Sequence, residues 1–214
     1  MASTTGSWAR RCAHLVFAVL CVAVAAYAFH FLYGEFRPRN PFDRRFAVGG
    51  IAVPAHFFGA GLALALAPFQ VWARLRGRLP RAHRVGGWLY AGGVLTGGIG
   101  GLAMATDAHG GWASGAAFAL LGVVWIASTA LGVGFAIAGD IARHRRWMWR
   151  SVALTASAVT LRLELAIGQG ALQLPFLITY VFAAWSCWTI NLAIVEWWLR
   201  RRPSARRMLE SGIA

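Results

Sequence analysis

Four histidines and one arginine stand where chemistry could occur in an otherwise apolar chain. His56, His83, His109 and His144 fall at or near the ends of apolar runs, and Arg162 falls inside one. If the runs cross a bilayer, His56 and His109 lie toward one side and His83 and His144 toward the other. Imidazole pairs of this kind are axial ligands for b-type haem, and one pair per leaflet would carry electrons across the membrane. The candidate cofactor is therefore haem b, with His56 and His109 on one iron and His83 and His144 on the other. Met104, one turn before His109, is an alternative outer ligand. Plain hydrogen bonding to loop carbonyls and headgroups is the competing reading of the same histidines.

Arg162 carries the sharper signal. An ionisable side chain inside a spanning helix costs roughly 2.5–3.5 kcal/mol on insertion scales, so it usually faces the bundle interior and has a partner. Glu164 is nearest in sequence, but residues two apart on a helix face different ways. Asp107 is the nearest carboxylate by depth. We expect Arg162 and His56 to line a polar pocket that takes an anionic group, such as a haem propionate, or a quinone oxygen. The alternative is an arginine that snorkels to the headgroups.

The elements that must position these residues are membrane helices. Of 214 residues, 58% are hydrophobic and 13% charged, about half the charge of a typical soluble domain. Six runs reach or approach the ~20 residues a spanning helix needs: 13–32, 46–73, 85–105, 113–138, 151–168 and 175–199. Lipid offers no partner to backbone groups, so such runs are helices and not open strands. The expected fold is an all-α bundle of about six transmembrane helices. Residues 1–12 and 200–214 flank it as short tails, and residues 13–199 form one domain. The apolar stretch after Arg10 and Arg11 is long enough to span, so it reads as an uncleaved first helix.

The net charge of +14 does not indicate nucleic acid, because the 21 arginines sit in clusters between the runs and there is no lysine. With the N-terminus inside, 16 arginines fall on cytoplasmic segments and four (Arg37, Arg39, Arg44, Arg45) on the first outer loop. That asymmetry places both termini in the cytoplasm of a bacterium and the protein in its inner membrane. Trp72, Trp147, Trp149, Trp197 and Trp198 fall at the same ends, where indoles sit at headgroup depth. The basic C-terminal tail suits anionic lipids. Cys12, Cys21 and Cys187 have no metal-ligand spacing.

Gly93, Gly97 and Gly101 recur every four residues in the third run, and in the second Gly59, Ala60, Ala63 and Ala67 follow His56 on or near its face. Small residues at that spacing permit close helix packing, with a groove for a flat cofactor as the other reading. Asp140 stands four residues before His144 and could orient its ring.

The histidine order resembles that of cytochrome b-561 and related two-haem membrane proteins. A further resemblance rests on His56, RAHRVGGWLY (81–90), GDIARHRRWMWRSVALTASAVTLRL (139–163), Asn191 and Glu196. Over about 46–199 these are similar to a bacterial family of predicted membrane proteins, domain of unknown function 2306. It implies the fold and the membrane location and supplies no reaction. Two functions follow as expectations: a b-haem electron carrier working with a quinone or a membrane redox complex, or a non-enzymatic subunit, assembly factor or small transporter. Topology is tested first by reporter fusions: a phosphatase fused after Arg207 should be inactive and one in the loop at His109 active.

Overall fold

The computed structural model describes residues 4–33, 50–72 and 77–201. The outer-loop arginines, Arg74, Arg76, positions 46–49 of the second run and the tail from 202 lie outside the described residues. Among the described residues, seven α-helices build six spans: α1 (Thr4–Tyr33), α2 (Ala52–Val71), α3 (Pro80–Met104), α4 (Trp112–Ile137), α5 (Ile141–Thr155), α6 (Ser157–Ala166) and α7 (Phe176–Arg201). Helices α5 and α6 are one span, Ile141–Ala171, broken at Ala156 and ending in a π turn at Ile167–Ala171. All six spans are long and apolar enough to cross a membrane. The expected fifth run, 151–168, thus begins ten residues earlier, because the Arg- and His-rich first turns of α5 continue the helix. Likewise α1 extends back to Thr4, through most of the expected N-terminal tail.

Consecutive spans run antiparallel, so the first and last described residues, Thr4 and Arg201, lie on one face, here the terminal face; the other is the distal face. The α4–α5 turn shows why the helices stop where they do. Gly139 takes φ +79°, a left-handed conformation that costs glycine nothing and ends α4. Asp140 then caps α5, its carboxylate accepting from the Arg143 N–H at 2.9 Å.

Gly93, Gly97 and Gly100 of α3 are consumed by packing on α2, so the reading of helix contact holds over that of a cofactor groove there. A Cβ on Gly97 would lie 2.6 Å from the Ala60 nitrogen, and one on Gly93 would lie 2.8 Å from the Gly59 carbonyl oxygen. The two backbones touch. Gly98 meets Ile126 of α4 on another face.

The middle of the bundle is tied by hydroxyls. The buried Tyr90 hydroxyl of α3 lies 2.7 Å from both Ser151 and Thr155 of α5. Trp125 of α4 donates its indole N–H to Thr155 at 2.9 Å, and Thr129 lies 2.6 Å from Ser151. Around this cluster pack Ala63, Ala67, Val94, Val152 and Leu154. In lipid these bonds hold helices together where apolar burial alone cannot discriminate helix from acyl chain.

Gly97→Val should lower stability in detergent by about 1–3 kcal/mol through overpacking. Gly92→Val, at a glycine with open space around it, should change it by less than about 1 kcal/mol. Thermal unfolding followed by tryptophan fluorescence compares the two.

Candidate functional site

Arg162 and His56 line one cavity. It has a volume of about 80 Å³ and is walled by Val24 and Ala28 of α1, His56, Phe57, Ala60, Gly61 and Leu64 of α2, and Ala158 and Arg162 of α6. It lies in the distal half of the bundle, below the N-terminus of α2. The His56 ring is held from behind: its Nδ1 stands 2.7 Å from the Gly97 carbonyl oxygen of α3. A carbonyl can only accept, so Nδ1 carries the proton and Nε2 is the acceptor of the neutral ring. The absence of a side chain at Gly101, where a Cβ would approach Nδ1 at 2.9 Å, leaves room for that ring.

The Arg162 guanidinium donates from Nη1 to the Ala158 carbonyl at 2.8 Å and lies 5.5 Å from the centre of the Tyr27 ring of α1. The second contact is within cation–π range. No described carboxylate forms an ion pair with it; the ion pairs among the described residues are Arg143–Asp140 and Arg150–Glu196. Asp107 is therefore not its counter-ion. A guanidinium has five N–H donors, and Arg162 spends one on a protein oxygen. The cavity thus presents a cation with donor capacity to spare.

The other histidines sit elsewhere. His109, just before α4, is packed edge-on against Phe176 and Tyr180 of α7. His144 Nδ1 stands 2.8 Å from the Gly132 carbonyl oxygen of α4, toward the terminal face. It does not use Asp140, which is occupied with Arg143. His83 is half-buried in the first turn of α3, where its amide donates to Leu79. His14 lies 6.0 Å from the Trp72 ring. Ring contacts alone do not make a haem site, and space is the sterner test. Pockets that enclose drug-sized ligands hold roughly 300–1,000 Å³, so the 80 Å³ beside His56 does not admit a porphyrin in this packing. Among the described residues, no three of His, Cys, Asp and Glu gather as a metal site.

Comparison with known proteins gives one positive result. The description "predicted membrane protein (DUF2306)" matches residues 53–199. This chain belongs to the DUF2306 family. No curated protein and no solved structure matches it. The DUF2306 region runs from the first turns of α2 almost to the end of α7. It includes His56, Arg162 and Gly97 and omits α1, so one wall of the cavity and the Tyr27 ring come from outside the matched segment.

Sequence reasoning passed over Tyr27, an aromatic residue inside the first apolar run with nothing in the sequence to mark its partner. It also passed over Ser186, whose hydroxyl lies 2.8 Å from Glu164, and over the pairing of Arg150 with Glu196. That pair is two-pronged, at 2.5 and 3.2 Å, and ties α5 to α7 near the terminal face; Arg150 also lies over Trp147 at 4.6 Å. Glu196 stood among the residues that mark the DUF2306 resemblance, but nothing in a linear chain joins it to a residue 46 positions away. Removing one partner leaves the other charge partly buried and unpaired. Glu196→Ala should therefore lower the melting temperature more than the double substitution Arg150→Met with Glu196→Leu, a comparison read from thermal unfolding in detergent.

Proposed function

We propose that this DUF2306 protein binds, within the membrane, the anionic head of an amphiphile, with Arg162 as the charge partner and His56 beside it. The observation that carries this reading is an arginine at membrane depth that lines a cavity and has no counter-ion among the described residues. An anion in that cavity repays the cost of placing the cation there. A volume of about 80 Å³ suits a head of a few heavy atoms, such as a carboxylate or a phosphate. Both Val24 and Tyr27 belong to α1, which is the least buried of the spans, so the tail of the ligand leaves between α1 and α6 into lipid. The Nε2 of His56 accepts a hydrogen bond or a proton from the same head. We place the protein in the bacterial inner membrane with both termini cytoplasmic, on the arginine asymmetry. It then acts as a carrier or as the lipid-binding subunit of a larger membrane assembly.

A second reading, a b-haem electron carrier passing electrons to or from a quinone, has one observation in its favour. His56 and His144 both point Nδ1 at a backbone carbonyl, the arrangement that commonly orients a metal-bound imidazole. The small cavity argues against it. The visible spectrum of purified protein separates the readings, colourless under the first and with a Soret band under the second.

For the first reading, binding of a fluorescent long-chain fatty acid is measured to protein in lipid nanodiscs. Arg162→Leu should weaken binding at least about tenfold, or roughly 1.4 kcal/mol, while membrane insertion is unchanged or improved. Arg162→Lys should retain part of it. Equal binding by the wild type and Arg162→Leu would overturn the assignment.

A further inference from the structure

Helix α6 carries a second ionisable group at membrane depth, and it faces the other way. Glu164 lies two residues beyond Arg162, so where Arg162 turns to α1 and α2, Glu164 turns to α7. Its oxygen Oε2 lies 2.8 Å from the Ser186 hydroxyl. Ser186 also stands 2.9 Å from the carbonyl oxygen of Phe182, one turn back on its own helix. A serine has one proton to donate, and Phe182 O can only accept. When that proton goes to Phe182, the hydrogen at the Glu164 contact must come from the carboxyl group itself.

The surroundings favour the same state. No described cation pairs with Glu164; the groups that face it from α7 are Ser186 and the buried Cys187 thiol, while on its own helix Arg162 points into the opposite cavity. An unpaired carboxylate at this depth is costly, and a neutral acid much less so. The seam below it is polar as well: Thr160 donates to Asn191 Oδ1 at 3.1 Å, and Asn191 donates to the Ala153 carbonyl oxygen at 3.1 Å. Above it, the π turn Ile167–Ala171 exposes Gln169 toward the distal face.

We propose that Glu164 is a proton-binding site of the bundle, held as a neutral acid that donates to Ser186 and exchanging its proton with the distal face. On release, the carboxylic O–H bond breaks, the proton leaves past the π turn, and Ser186 rotates its own hydrogen from Phe182 O to the new carboxylate. No further reactant is needed. The site stands independently of what Arg162 binds. If Arg162 takes an anion, the two sites lie back to back on one ten-residue helix, and a proton can travel with the anion so that no net charge crosses.

A hydrophobic carbodiimide tests the protonation state directly. It adds across a protonated carboxyl, the acid proton going to a carbodiimide nitrogen and the carboxyl oxygen to its central carbon, and acyl shift then leaves a stable N-acylurea. The full chain in nanodiscs is treated with dicyclohexylcarbodiimide and its peptides are weighed. The adduct is expected on Glu164 and not on Glu196, which is held ionised by Arg150; it should decline as pH rises and vanish in Glu164→Gln. Infrared spectra of the same samples give a readout that needs no reagent access. Wild type should show a protonated carboxylic C=O band at neutral pH, shifted in deuterium oxide and lost in Glu164→Gln. Absence of that band, or an adduct on Glu196 with none on Glu164, would overturn the proposal.

Discussion

The backbone contact between α2 and α3 is the interaction on which the candidate site depends. Gly59 and Ala60 lie against Gly93 and Gly97 so closely that a side chain at any of the three glycines would drive the helices apart. That closeness brings the Gly97 carbonyl to 2.7 Å from His56 Nδ1. The carbonyl is already an acceptor within α3, so its second lone pair serves the histidine. Move α3 outward by the width of a methyl group, and His56 loses the contact that sets its tautomer and its aim. Packing and chemistry are thus the same feature: the glycines that let the helices touch also orient the ring.

The remaining polar groups obey one constraint, that lipid satisfies none of them. The Tyr90–Ser151–Thr155–Thr129–Trp125 cluster meets it by closing on itself, and Arg150 meets it with Glu196. Arg162 and Glu164 meet it less completely. One has a carbonyl and an aromatic face, the other a serine whose proton has two claimants. Groups left short of partners in an otherwise satisfied interior are where a ligand or a proton has something to gain. That contrast, and not the mere presence of charge, separates the candidate sites from the structural pairs.

The spans were legible because period and length suffice: a run of about 20 apolar residues has one stable form in a bilayer. The glycine spacing in α3 was legible for a similar reason, since a four-residue repeat stays on one helical face. Arg162 and His56 could be placed together by depth alone, because both lie a few residues below the distal ends of their helices. Partners were another matter. Tyr27, Ser186 and Glu196 are ordinary residues whose roles depend on which helices become neighbours and how each is rotated, and an all-apolar helix surface does not encode that rotation. The same ignorance made Asp107 and Asp140 attractive partners by proximity in sequence or depth, when helix rotation and capping assign Ala158 with Tyr27 to Arg162 and Gly132 to His144.

The place of α1 sharpens the argument about Arg162. The DUF2306 match begins at residue 53, so His56, Arg162 and the glycine contact lie within the family segment while Tyr27 does not. Helix α1 packs chiefly on α2, through Cys21, Ala25 and Leu64 and the Phe29–Phe58 and Phe31–Phe57 ring pairs, and it meets α6 at Val159 and Ala158 and through Tyr27 at Arg162. Its contribution to the site is a π face, which attracts the guanidinium without accepting its hydrogen bonds in the way a carboxylate would. An aspartate in that position would neutralise Arg162 and close the cavity to anions. An aromatic ring steadies the cation, shields it from lipid on one side and leaves its donors free. The wall supplied by α1 therefore suits the anion-binding role proposed for Arg162.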